Sequence, residues 1–186
     1  MTANSARPLA LSVEDYLTGE ETSDVRHEYI DGEVYAMVGA SDWHGLIVLN
    51  LGSALSSRLP DACPVFTSDM KVRIQTKAND IFYYPDVVVS CAKDDRATHY
   101  REKPIVVVEV LSSTTAHQDR FEKFTNYIEI PSLQEYVLIE QNFSMVEIFR
   151  RSRQWEEEII RSGGFRLESV DMEFTLAEVY RRVSWA

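Results

Sequence analysis

Residues Lys103 to Ser113 read K-P-I-V-V-V-E-V-L-S-S, a continuous apolar and β-branched run with one carboxylate set inside it. Such a run is the pattern of a central strand buried on both faces. Glu109 is its anomaly. A buried ionised carboxylate is costly unless a cation, a metal or hydrogen-bond donors meet it, so the rest of the chain must supply a partner.

One candidate lies upstream in Tyr83 to Ser90, Y-Y-P-D-V-V-V-S, a second β-branched run with Asp86 near its start. Pro85 suits the first position of a strand, where no ladder donor is needed. The polar segment Cys91 to Glu102 is ample for a loop and short for a crossover helix. The two runs can therefore be neighbours, with Asp86 and Glu109 converging at one end. Downstream, Ser112 to Ile130 reads as a helix. Its Phe121, Phe124 and Ile128 form an apolar stripe for packing on the sheet, and Asp119, Lys123 and Tyr127 form a separate polar line. Two acids on adjacent strands with a lysine close by suit a metal ion and an activated water. The plainer reading of Lys123 is an i to i+4 salt bridge with Asp119, worth about a few tenths of a kcal/mol.

Before these runs, Met1 to Leu11 reads as a loose leader, and Ser12 caps a short helix through about Leu17. Asp31-Gly32 between alternating runs signals a two-residue hairpin turn. That turn pairs Ile30 with Glu33 and Glu28 with Tyr35, so both glutamates share a face, either leaning towards the acids or lining a solvated surface. Ser41 caps a helix to about Leu59 and places His44 in its first turn, where backbone amides favour a phosphate; a lone histidine is as readily structural. Val65 to Thr76 alternates as one half-buried strand with Asp69 beside Lys71 and Arg73, and Lys77 to Asp80 turns into the Asp86 strand. Strands follow at Glu135 to Glu140, Ser144 to Arg150 and Trp155 to Arg161. Gly163-Gly164 breaks the pattern, and Thr175 to Val183 reads as a short amphipathic helix.

With 186 residues, 45% of them hydrophobic, residues 12–186 suffice for one domain with a substantial core. The net charge of −11 weighs against a sequence-independent grip on a polyanion. Local basic patches could form from Arg96, Arg101 and Lys103, or from Arg150, Arg151 and Arg153. Neither terminus carries a signal-like or membrane-spanning run, which makes a soluble, cytoplasmic protein the expectation. Cys63 and Cys91 are too few and too isolated for a disulfide framework or zinc site, and read as reduced.

Pro85-Asp86 followed by Glu109-Val110-Leu111 on the next strand resembles the PD-(D/E)XK nuclease superfamily. More narrowly, Tyr29-Ile30-Asp31-Gly32-Glu33, Ser68-Asp69-Met70-Lys71-Val72-Arg73, Tyr84 to Val89, Val108 to Ser112 and Asp119 to Phe124 resemble, in this order, the Uma-two family, described as putative restriction endonucleases. The resemblance implies an α/β (α+β) restriction-endonuclease-like core, with a mixed central β-sheet flanked by helices and an N-terminal β-hairpin. It also implies Mg²⁺ or Mn²⁺ held by Asp86, Glu109, the Val110 backbone carbonyl and Glu33, a DNA substrate and a homodimer. The superfamily's strand lysine, two places after the glutamate, is here Leu111, so Lys123 is nominated to supply the ammonium. Glu28, His44, Asp69 and Tyr127 are secondary candidates. Two rival readings stay open: a catalytically silent interaction module in which a buried Arg or Lys neutralises Glu109, and a carboxylate-pair glycoside hydrolase.

Overall fold

The computed structural model describes residues 10–76 and 79–185. Most of the expected leader, and Lys77 and Ala78 of the expected turn, lie outside them. In chain order the elements are α1 (Val13–Thr22), the hairpin β1 (His27–Ile30) and β2 (Glu33–Ala36), α2 (Asp42–Arg58), β3 (Val65–Thr67), β4 (Lys71–Gln75), β5 (Asp80–Tyr83), β6 (Val87–Val89), β7 (Tyr100–Arg101) and β8 (Val106–Leu111). There follow α3 (Ala116–Gln118), a π-helical turn (Asp119–Lys123), α4 (Phe124–Tyr127), β9 (Glu135–Glu140), β10 (Val146–Arg150), β11 (Glu157–Ile160), β12 (Gly164–Leu167), β13 (Met172–Thr175) and α5 (Leu176–Val179).

The strands form a six-stranded sheet ordered β11-β10-β9-β8-β6-β3, a five-stranded sheet ordered β2-β1-β5-β4-β7, and the β12-β13 hairpin. β8 is the predicted central strand, buried at all six positions, paired antiparallel with β6 and parallel with β9. One face of the six-stranded sheet, with Val87, Val106 and Val108, packs against Ile47, Leu51 and Leu55 of α2 and Phe165 and Phe174 of the C-terminal hairpin. The opposite face, with Val88, Val107 and Leu111, meets Val72, Ile74 and Tyr83 of the other sheet together with Tyr127. On the far side of that second sheet, Tyr16 of α1 covers Tyr29 and Phe82.

Several boundaries depart from the sequence reading. Leu11 is not loose: its N–H bonds the Gly32 carbonyl at 3.0 Å and its carbonyl accepts the Tyr29 hydroxyl at 2.9 Å. α1 runs past Leu17 to Thr22, where Glu20 is held by the His27 N–H at 3.2 Å and the Tyr84 hydroxyl at 2.6 Å. Gly163-Gly164 breaks the strand pattern as expected, with Gly163 turning at φ 73° between β11 and β12, and Gly164 starts β12. A Cβ there would meet the Phe174 carbonyl oxygen at 2.3 Å, so only glycine lets β13 approach. α5 is one turn of the longer helix expected, with Thr175 as its cap. Cys63 and Cys91 are disulfide-bonded rather than reduced. They lie 28 residues apart in sequence, and only the β3–β6 pairing, which sets Val65 against Val89, brings their segments together.

Candidate active site

The site is built where the chain changes sheets twice. Val65 to Thr76 is not one strand: β3 belongs to the six-stranded sheet and β4 to the five-stranded one. Ser68 makes the corner with φ 33°, and its N–H bonds the Asp86 carbonyl at 3.2 Å. Tyr83 to Ser90 divides likewise, with Tyr84-Pro85-Asp86 crossing back from β5 to β6. Apolar alternation continues through both corners, which hid them. The pairing of Val87 with Val108 then brings Asp86, one residue before β6, to the end of β8 that carries Glu109 and Val110.

Around these acids the contacts are dense. Asp86 Oδ2 accepts the Val110 backbone N–H at 2.7 Å and lies 3.1 Å from His44 Nε2. Burial works to lower the His44 pKa, but its bond to Asp86, the Asp86 charge, the more distant Asp119 and the Val110 carbonyl outweigh burial and raise it. Ser41 caps α2 as expected, accepting the His44 N–H at 3.2 Å, so helix start and imidazole are fixed together.

Glu109, only 3% exposed, accepts from Lys123 Nζ and the Tyr127 hydroxyl, each at 3.2 Å. Lys123 Nζ also lies 2.9 Å from Glu28 Oε1 and 3.3 Å from Asp119 Oδ1. Burial pushes the Glu109 carboxyl well above its usual range. Lys123 opposes that shift, while Asp119, Asp86 and Glu28 add to it. Asp119 is raised by burial against the pull of Lys123 and Thr115. Burial alone would depress Lys123, but Glu109, Glu28 and Asp119 hold it well above its ordinary value.

Asp119, Lys123 and Tyr127 are all buried, on the polar line the sequence predicts. The expected apolar stripe is not kept. The π turn adds a residue relative to an α-helical turn, and Phe121 is left 60% exposed while Phe124 packs on Phe149, ring centroids 4.7 Å apart.

Of the two hairpin glutamates, the structure brings in Glu28 and leaves out Glu33. The predicted register is observed, but Glu33 sits beside the turn, exposed, and accepts the Tyr35 hydroxyl at 2.7 Å. Asp69 is exposed and pairs with Arg26 at 2.5 Å, not with Lys71 or Arg73. Lys71 is buried with its ammonium 5.0 Å from the centre of the Tyr84 ring, and Arg73 forks onto Asp80 at 2.9 and 2.8 Å. Neither expected basic patch forms: Arg150 is buried against Glu135, Arg151 caps carbonyls of Leu133 and Ile130, and Lys103 pairs with Asp94. Asp119 is the residue the sequence undervalued. Its spacing from Lys123 was legible, its burial was not.

Among the described residues no three His, Cys, Asp or Glu side chains gather as one metal-ligating group. Mg²⁺ needs no such cage, since it keeps several waters and takes one or two carboxylates. The donors fit a hard cation. Glu28, Glu109 and Asp119 surround one ammonium, and Glu28 Oε1 and Asp119 Oδ1 are buried without an aligned hydrogen bond, although both lie within ion-pair distance of Lys123 Nζ.

Mixed sheets flanked by helices, with an acid pair at a strand corner, define a restriction-endonuclease-like fold. The crystal structure of a putative nuclease belonging to DUF820 from Anabaena variabilis shares it, with a TM-score of 0.71 at 16% identity over 85% of this chain and 91% of that one. The chain belongs to the Uma2 family, described as putative restriction endonuclease, which matches residues 13–177. It is also similar to two uncharacterized proteins of Synechocystis sp.: one is 33% identical over 94% of both chains, the other 35% identical over 78% of this chain and 84% of its own.

Proposed function

We propose that this protein is a metal-dependent endonuclease that hydrolyses phosphodiester bonds of DNA at Asp86 and Glu109. The observation that carries the reading is a juxtaposition: Asp86 at the entry to β6 and Glu109 on the antiparallel neighbour β8 both line a groove of about 1300 Å³, with an ammonium 3.2 Å from Glu109. Asp86, Glu109 and the Val110 carbonyl would hold Mg²⁺, or Mn²⁺ in its place. When bound, the ion would polarise a phosphoryl oxygen and lower the pKa of a water.

The chain's own groups prepare the rest. Lys123, kept protonated by three carboxylates, stabilises negative charge building on the phosphoryl oxygens as the water oxygen bonds to phosphorus and the bond to the leaving strand breaks. Tyr127 fixes the Glu109 carboxyl from the other side. The Val110 N–H and His44 fix the orientation of Asp86. Burial raises the Glu109 pKa against the pull of Lys123, and a bound cation would favour its ionised form.

Calorimetric titration with MgCl₂ and MnCl₂, followed by plasmid nicking, tests the reading. Wild type should bind either cation and nick plasmid; Asp86→Asn should lose both. Cleavage unchanged in Asp86→Asn overturns the assignment. One observation favours a second reading, a silent interaction module: Lys123 already offsets part of the buried charge. On that reading neither cation binds.

A further inference from the structure

The five-stranded sheet changes partners where the chain leaves it for the other sheet. β1 and β5 pair Tyr29 with Phe82 and Ile30 with Ile81. Continued past the end of β5, the same register would set His27 against Tyr84. Instead Tyr84-Pro85-Asp86 crosses to β6, and the β1–β5 pairing stops at Tyr29. Backbone groups at such a break need other partners.

Two side chains of α1 supply them. The Tyr16 hydroxyl donates to the His27 carbonyl at 2.6 Å, and Glu20 Oε2 accepts the His27 N–H at 3.2 Å. The same oxygen accepts the Tyr84 hydroxyl at 2.6 Å, while Glu20 Oε1 lies 2.8 Å from His27 Nδ1. One carboxylate, its side chain 5% exposed, therefore ties the hairpin to the corner. Burial works against its ionisation, yet the bonds from Tyr84 and His27 outweigh burial and lower its pKa.

Each segment that Glu20 holds leads to an acid of the site. Glu28 follows His27 directly and reaches Lys123 at 2.9 Å. Asp86 follows Tyr84 through Pro85, whose ring fixes its own φ and keeps the preceding residue extended. A shift of Tyr84 thus passes to Asp86 with little slack. Tyr84, Glu28 and Asp86 line the groove; among the described residues Glu20 does not, so it acts on the chemistry through them.

We propose that Glu20 is a positioning residue: by joining His27 to Tyr84 it sets where Asp86 stands against Val110 and where Glu28 stands against Lys123. Its effect on cleavage rests on the nuclease reading, and its effect on geometry does not.

Amide hydrogen exchange of the full chain without added metal reads that geometry, because the Val110 N–H is protected by Asp86 Oδ2. Tyr84→Phe and Glu20→Ala should each speed Val110 exchange about tenfold. Val107 and Val108, paired within the sheet, should keep their wild-type rates. Glu20→Gln retains an oxygen that can accept from Tyr84 and His27 and should restore Val110 protection. Unchanged Val110 exchange in Tyr84→Phe overturns the inference. So does equal acceleration of Val107, Val108 and Val110, which is the mark of a general loss of stability. Steady-state plasmid nicking in MgCl₂ is read separately. In Tyr84→Phe kcat should fall about tenfold or more with KM unchanged. If wild type does not nick while Val110 responds, the nuclease reading fails and the positioning role stands. If wild type nicks and Val110 does not respond, the positioning role fails alone.

Discussion

The backbone N–H of Val110 donates to Asp86 Oδ2 at 2.7 Å, so the strand carrying Glu109 also aims the carboxylate of the strand beside it. Replacing Asp86 by alanine therefore removes a hydrogen-bond acceptor as well as a charge. Asp86→Ala should cost about 1–3 kcal/mol of stability through the orphaned N–H. Asp86→Asn keeps an acceptor and should unfold within about 1 kcal/mol of wild type, while losing metal-dependent cleavage. Urea denaturation of both variants checks this. Equal stability of the two would show that the Val110 bond carries no weight.

Among the described residues Lys123 is the sole ammonium within ion-pair distance of Glu28, Glu109 and Asp119. Removing it leaves buried carboxylates facing one another, and breaking a buried pair by deleting one partner costs about 3–5 kcal/mol. Lys123→Ala should lose stability of that order, and adding Glu28→Gln should return part of it. Denaturant midpoints of the single and double variants are the measurement. A loss below about 1 kcal/mol would mean that these acids are not ionised in the folded protein.

How far the sequence shows this site depends on which physical signal each residue leaves. Local signals were legible: the Asp31-Gly32 turn set the hairpin register, the Ser41 cap placed His44, and one carboxylate in a valine run exposed Glu109 as needing a partner. Signals that exist only across the fold were not. Alternation fixes the face of Glu28 and Glu33 but not how far the hairpin reaches over the site, so it does not tell that Glu28 meets Lys123 while Glu33 stays at the turn. The corners at Ser68 and Pro85 preserve apolar character and read as continuous strand. Cys63 and Cys91 meet only because β3 pairs with β6, a long-range contact without a local trace.

That disulfide carries its own prediction. It closes a loop of 28 residues, and constraining the unfolded chain over such a loop is worth about 3 kcal/mol. Cys63→Ser should lower stability by up to that amount while the acid cluster, built from other residues, keeps its metal affinity. The chain has two cysteines, so thiol titration in denaturant without reductant should find none free. Finding both thiols free would return Cys63 and Cys91 to the reduced state expected from sequence.

At the other end of the chain, Thr175 and Glu178 close a reciprocal cap on α5, and Arg58 of α2 bonds the Glu178 carboxylate at 2.6 Å. The Thr175 backbone N–H, then Arg58 and the Thr175 hydroxyl, lower the Glu178 pKa from its ordinary 4.5 to about 2. A depressed folded pKa means that the unfolded chain takes up the proton first as pH falls. The stability Glu178 contributes is thus complete above 4.5 and disappears as pH drops towards 2. The side chain is 43% exposed, so solvent screens the Arg58 pair, and the cap should dominate at about 1 kcal/mol. Glu178→Gln should therefore unfold at lower urea than wild type near neutral pH, with the two curves converging in acid. A gap that stays constant across the titration would mean that the Glu178 charge takes no part in holding α5 to α2.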